Sequence, residues 1–305
     1  MGAPIALFVY NRPAHTGRTV AALSANTLAP TSDLHIFSDG PKSAAEEQAV
    51  SRVREVANGA RGFRSVTIHS AVRNRGLARS VVAGVTMLCE SHGSIIVVED
   101  DLITSPGFLG FMNDALTRYE ADPRAMQISG FMFPCADAGL QEPGFVRLAA
   151  TWGWATWQRA WKLYCDDPRE LISSMKRRRL VNYLNMDGAL NHFRTLQGVA
   201  SGKIDAWGIR WYASMCLHGG LCLYPPETLV INIGLDGSGT NCKSTVAYSQ
   251  PLAAKEFIEF PVGVDESAAH FQAIRRFYIS HRIPLPLRAW RRIERVVTAG
   301  RRALS

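Results

Sequence analysis

The stretch Ser94-Ile-Ile-Val-Val-Glu-Asp-Asp-Leu-Ile-Thr-Ser-Pro106 decides how this chain is read. Ile95 to Val98 is a wholly apolar, β-branched run, the pattern of a central strand buried on both faces. Glu99, Asp100 and Asp101 follow at once, at the carboxyl end of that strand. Burying three like charges without a partner costs several kcal/mol or more. Two readings follow: a cation neutralises them, or the strand ends in a solvated acidic turn. In open α/β sheets the ligand crevice lies at the carboxyl ends of the strands. A hard divalent ion, Mg²⁺ or Mn²⁺, suits carboxylates there and commonly bridges them to substrate phosphates.

Working outward, the N-terminal part alternates strand and helix. Ile5–Tyr10 reads as a strand, Thr16–Leu23 as a helix, and Leu34–Phe37 as a second strand closed by the turn Ser38-Asp39-Gly40-Pro41. Ser43 with Glu46 forms a capping-box pattern for a helix that stops at Asn58-Gly59. Val66–His69 is a third strand, and Arg73-Asn74-Arg75-Gly76-Leu77 leads into a helix ending near Cys89. This is a doubly wound α/β pattern with a parallel sheet. Beyond the acidic cluster, Gly107–Tyr119 reads as a helix, Ala125–Ser129 as a strand and Phe131–Phe145 as a loop. Thr151–Trp161 is dense in tryptophan, Leu171–Tyr183 reads as a basic helix and Leu221–Tyr224 as a strand.

Composition narrows the class. With 305 residues, 47% hydrophobic and 20% charged, the chain can bury a sizeable core as one large or two fused domains. No apolar run reaches transmembrane length, and the expectation is a cytoplasmic protein without a signal peptide. Six scattered cysteines without C-x-x-C spacing fit reduced thiols. The net charge of +8 is concentrated late, from Arg288 to Arg302, so a nucleic-acid footprint over the whole chain is not expected.

Six segments in order resemble a GT-A glycosyltransferase, most nearly bacterial proteins related to the family-2 and N-acetylglucosaminyltransferase-I-like enzymes. They are Phe8–Pro13, Ile36–Gly40, Asn74–Ala78, Val98–Asp101, Trp152–Trp157 and Asn232–Gly234. The resemblance implies an α/β GT-A fold: a Rossmann-like nucleotide-binding half over residues 1–130 and an acceptor-binding half over 131–265. A basic helical segment, 266–305, would follow. It implies a nucleotide-sugar donor, UDP-linked, and a glycan or lipid-linked acceptor in bacterial surface polysaccharide synthesis.

What the resemblance implies for single residues is as follows. Tyr10, Asn11 and Arg12 would contact the donor, with the guanidinium of Arg12 suited to phosphate oxygens. Asp39 would accept from the imide N–H of uracil, or else serve as a turn residue bonding its own backbone. Arg75 and Gly76 would touch base or ribose. Asp101 would be the direct ligand of Mn²⁺ or Mg²⁺, with Glu99 and Asp100 on ribose or sugar hydroxyls. Asp205, beside Trp207, is the expected catalytic base, with Asp187 and Asp166 as competitors. Trp152, Trp154 and Trp207 would contact acceptor or sugar, while Trp157 and Trp161 belong to the core. Similar proteins often carry His where Asn241 stands, which puts a second protein metal ligand in doubt.

Rival readings are a sugar nucleotidylyltransferase, which lacks its expected phosphate loop here, and a non-catalytic sugar-nucleotide-binding module. In the segment 287–305, Trp290, Ile293 and Val297 form an apolar stripe amid arginines. It fits either an interfacial helix on an anionic membrane or an ordinary packed helix. The run Lys176–Arg179 offers a second anionic contact.

Overall fold

The computed structural model describes residues 2–135, 138–237, 245–254 and 259–281. The segment 287–305 and Asn241 lie outside them. The first half alternates as expected: β1 (Ile5–Val9), α1 (Pro13–Ser24), β2 (Asp33–Ser38), α2 (Ala44–Asn58), β3 (Ser65–Ser70), α3 (Leu77–His92) and β4 (Ser94–Glu99). Then come β5 (Leu102–Thr104), α4 (Phe108–Arg118), β6 (Ala125–Ser129), β7 (Gly144–Val146) and β8 (Trp154–Trp157). Five helices follow, α5 (Gln158–Trp161), α6 (Pro168–Arg177), α7 (Val181–Leu184), α8 (His192–Ala200) and α9 (Trp207–Leu217). The chain continues through β9 (Leu221–Tyr224), β10 (Val230–Asn232) and α10 (Ala268–Ser280).

Among the described residues, eight strands form one sheet in the order β3-β2-β1-β4-β8-β6-β9-β7, and β10 pairs with β5 in a second, two-stranded one. The fold is α/β. β3, β2, β1 and β4 run parallel, while β8 lies antiparallel between β4 and β6. The sheet is therefore mixed, and strands from both halves of the chain share it.

β4 is central, and its alternation explains the apolar run. Ile95 and Val97 face a core with Phe8, Val85, Trp154 and Trp211; Ile96 and Val98 face another with Leu7, Ile36, Phe108 and Met112. Each such side chain contributes roughly 1.5–3 kcal/mol when fully buried. A strand sealed on both faces can present polar groups only at its ends. Because β1 and β4 are parallel with Phe8 opposite Glu99, their carboxyl ends emerge side by side.

Three local expectations change. The Ser43 hydroxyl makes no capping bond, and the Glu46 carboxylate instead reaches the Lys42 backbone N–H at 3.0 Å, so the capping box is absent. The basic helix expected over Leu171–Tyr183 is two helices. Arg179 takes φ +57°, and Leu180 N–H donates to the Met175 carbonyl at 2.9 Å while Arg179 N–H donates to Lys176 at 3.1 Å. That is a Schellman ending with arginine where glycine is usual, which a helical periodicity does not foretell. The loop expected over Phe131–Phe145 ends in β7, which antiparallel pairing with β9 recruits to the sheet.

His270 on α10 lies under β7, so close that a Cβ on Gly144 would come within 2.3 Å of its ring. Burial lowers its imidazole pKa from 6.5 to about 4. Between those values the unfolded chain binds the extra proton, so stability falls as pH drops from about 6.5 toward 4. His270→Gln is expected to flatten that acid-side fall in melting temperature. An unchanged slope would show that other groups set it.

Candidate active site

The carboxyl ends of β1, β2 and β4 open into one cavity of about 380 Å³. Its wall brings together Tyr10, Asn11, Arg12, Asp39, Gly76, Glu99, Asp100, Asp101, Trp152 and Asp205. Residues 152 and 205 lie far along the sequence from the others. The fold supplies the coincidence.

At the floor, the Arg12 guanidinium bridges two carboxylates: its Nη2 donates to Asp100 Oδ1 and, at 2.8 Å, to Asp101 Oδ2. The sequence reading placed Arg12 on phosphate; here it is the counter-ion of the acidic cluster, because β1 and β4 end side by side. Burial disfavours its charge, but Asp100 and Asp101 outweigh that and raise its pKa. Asp100 is buried, and burial raises its carboxyl pKa against the pull of Arg12. Glu99 is pushed up to about 8 by burial first, then by Asp101 and Asp100, with Arg12 opposing. One cation thus serves three carboxyl groups.

Neighbouring backbone closes on this cluster. The hydroxyl of Thr19 donates to the Asp100 carbonyl at 2.9 Å. β10 runs antiparallel to β5 with Asn232 opposite Leu102, and Ile233 N–H then donates to the Asp101 carbonyl at 2.8 Å. A Cβ on Gly234 would come within 2.2 Å of Asp101 Oδ2 and 2.8 Å of Arg12 Nη1, so only glycine fits. Asn232 and Gly234 line the cavity. They stood within a recognised segment without any assigned role.

The residues present fit a divalent cation. Among the described residues the buried Asp100 Oδ2 and Asp101 Oδ1 have no close hydrogen-bond partner, which leaves two hard oxygen donors for an ion. Among the described residues no three His, Cys, Asp or Glu side chains group as a metal site. An ion held by two aspartates would complete its shell with water and ligand oxygens, the usual habit of Mg²⁺.

Two further carboxylates organise the walls. Asp39, buried at the end of β2, accepts from Gly40 N–H and Arg75 N–H at 2.8 Å through Oδ1. Through Oδ2 it accepts from Gly76 N–H at 2.9 Å and Asn74 Nδ2 at 3.1 Å. The turn reading of Asp39 is thus realised across the loop that follows β3. Gly76, at φ +82°, starts α3 there. Glu46 accepts from the Tyr10 hydroxyl, from Lys42 N–H at 3.0 Å and from Asn11 Nδ2 at 3.3 Å. Burial, then this bond to Glu46, raises the Tyr10 phenol to about 12. The local pattern at Glu46 is that of a helix cap, and nothing in the sequence around Lys42 or Asn74 signals a role, because these contacts depend on how the loops fold back.

On the far side, Trp152 sets its ring edge-on to Phe131 (4.7 Å) and Tyr248 (5.2 Å). Gly153 follows at φ +60°, and the chain then enters β8. The expected sugar contacts of Trp154 and Trp207 are not what the structure has. Trp154 has no exposed surface, and Trp207 stacks on it at 5.3 Å. Both belong to a core cluster with Trp161 and Trp211, because strand alternation turns residue 154 inward. Trp157 is buried on the opposite side of the sheet.

Of the three candidate bases, only Asp205 lines the cavity. Its carboxylate is mostly exposed and lies 3.5 Å from Arg210. Asp187 is held by Arg147 at 2.9 Å, and Asp166 by Arg210 at 2.9 Å. Arg75 lines an adjoining cavity of about 320 Å³ with His69 and Met87, rather than the main one.

No protein-family model matches the sequence, and no curated protein matches it. Solved structures do. Staphylococcus aureus TarS is 12% identical over 41% of this chain and 21% of its own, with a TM-score of 0.27. Mycobacterium tuberculosis glucosyl-3-phosphoglycerate synthase, in complex with Mn²⁺, uridine diphosphate and glucosyl-3-phosphoglycerate, is 11% identical over 58% of this chain and 66% of its own, with a TM-score of 0.34. The same synthase in complex with phosphoglyceric acid is 12% identical, with a TM-score of 0.34. The match to TarS thus spans 21% of that chain and the matches to the synthase 66%. At such values the functional reading rests on the residues of this chain.

The four bonds to Asp39 give a direct test of its structural work. Hydrogen bonds to a charged acceptor are each worth about 1.5–3 kcal/mol. Asp39→Ala is expected to lower unfolding free energy by roughly 3 kcal/mol, allowing for water reaching some freed donors. A loss below about 1 kcal/mol would mean the loop holds without it.

Proposed function

We propose that the chain is a GT-A-type glycosyltransferase that moves a sugar from a nucleoside-diphosphate donor, a UDP-sugar, to a hydroxyl group of an acceptor. One observation carries this reading. Two aspartates with unpartnered oxygens, the half-buried guanidinium between them and a mostly exposed carboxylate from a distant segment all line one cavity at the carboxyl ends of parallel strands.

The donor diphosphate would lie over the cluster at the end of β4. Asp101 and Asp100 would hold Mn²⁺ or Mg²⁺ through the two oxygens that have no partner. Such an ion binds the diphosphate and takes up the charge that develops as it leaves. Arg12 keeps both aspartates in place, and its Nη1, buried without a partner, offers an N–H group to a phosphate oxygen. Glu99 would meet a donor hydroxyl. Tyr10 and Asn11, fixed by Glu46, would flank the nucleotide.

Asp205 would act as base on the acceptor side. The acceptor oxygen attacks C1 of the sugar and its proton passes to the Asp205 carboxylate. The C1–O bond to the diphosphate breaks with its electron pair leaving on the diphosphate, so the anomeric centre inverts. The exposed position of Asp205 suits a group that must meet an incoming acceptor. Trp152 offers an aromatic surface in the same cavity. The acceptor class we favour is a glycan or lipid-linked saccharide of a bacterial surface polysaccharide. Among the described residues no helix is long and apolar enough to cross a membrane.

A panel of nucleotide sugars with Mn²⁺, scored by release of nucleoside diphosphate, tests the reading. Turnover of a UDP-sugar that stops in EDTA supports it. Release of inorganic diphosphate from a nucleoside triphosphate and a sugar phosphate would instead favour a nucleotidylyltransferase. Asp205→Asn is expected to lower turnover about 10²–10⁴-fold while UDP binding is kept. Turnover near that of wild type would remove Asp205 from the mechanism.

A further inference from the structure

We propose that the side-chain oxygen of Asn74, rather than the carboxylate of Asp39, accepts the imide N–H of the donor's uracil and so sets base specificity. The proposal rests on the UDP-sugar reading above. Its starting point is the saturation of Asp39. A carboxylate offers about four lone-pair sites, and each Asp39 oxygen already accepts two hydrogen bonds. Three of those donors are backbone N–H groups, which cannot turn away to admit a ligand. The loop is also closely packed there. A Cβ on Gly40 would lie 2.5 Å from the Arg73 carbonyl carbon, so the two backbones touch.

Asn74 is in the opposite condition. Its Nδ2 donates to the Gly40 carbonyl at 2.8 Å and to Asp39 Oδ2 at 3.1 Å. Both neighbours are acceptors, so the network fixes which end of the amide is nitrogen. The oxygen must then point the other way. It accepts no hydrogen bond from the described residues, and Asn74, half-buried, lines the main cavity. The result is an acceptor with a fixed direction on the wall where Gly76 and Ser80 also stand.

A fixed acceptor discriminates between pyrimidines. N3 of uracil donates, whereas N3 of cytosine accepts and would face the Asn74 oxygen with a repelling lone pair. Sites built around one such hydrogen bond reject the mismatched ligand because a polar group is left unpaired. Guanine also presents a ring N–H, but a purine needs more room.

The test compares binding of UDP and N3-methyl-UDP, in Mn²⁺, to wild type and Asn74→Ala by calorimetry. Wild type is expected to prefer UDP by at least about tenfold, and Asn74→Ala to lose that preference. A preference that survives in Asn74→Ala overturns the assignment while leaving the donor reading intact. Binding of no nucleoside diphosphate by wild type overturns both. Should Asn74→Ala fail to fold, a crystal structure of wild type with UDP decides. Uracil N3 within hydrogen-bond distance of Asn74 Oδ1 supports the proposal, and N3 on the Asp39 carboxylate instead overturns it.

Discussion

The contact on which the site depends is the Arg12 guanidinium set between Asp100 and Asp101. β1 and β4 are sealed by apolar packing on both faces, so each must shed its polar chain at the same end. The acidic cluster would be untenable there alone. With Arg12 in place Asp100 is buried and Asp101 half-buried, yet both are directed, and removing one partner of a buried pair typically costs about 3–5 kcal/mol. The approach of Gly234, the β5–β10 pairing and the Thr19 bond all converge on the same few atoms. They hold the two carboxylates in a direction that side-chain packing alone would not fix.

Other carboxylates do quieter work. Asp39 and Glu46 spend their acceptor capacity on the protein itself, on backbone N–H groups and on Asn74, Tyr10 and Asn11. They tie the loops after β1, β2 and β3 into one wall, the preorganisation that the proposed nucleotide-sugar donor would call for. The opposite wall is built differently. Trp152 sits among aromatic neighbours, and Asp205 stands mostly in solvent before α9. Under the proposed function the first wall would hold the donor and the second would receive the acceptor.

Much of this was legible in the chain. β4 could be read because a short β-branched run buried on both faces has few other interpretations. The parallel direction of the first four strands followed from alternation alone, but their order did not. The cavity residues after β1, β2 and β4 came from strand ends and from recurring segments. What could not be read depends on contacts across the sequence. Whether Trp154 faces the cleft or the core turns on the register of β8 between β4 and β6. The role of Glu46 depends on α2 lying against the loop after β1. Arg179 in a left-handed helix ending runs against residue preference, so only tertiary packing accounts for it.

The central claim is that Asp101, steadied by Arg12, holds a divalent ion against the donor diphosphate. Electron paramagnetic resonance of Mn²⁺ with UDP tests it most directly. For wild type the account predicts bound Mn²⁺ with hyperfine coupling to phosphorus, and loss of that bound signal in Asp101→Ala with the fold retained. Equal Mn²⁺ binding and equal phosphorus coupling in Asp101→Ala would contradict it.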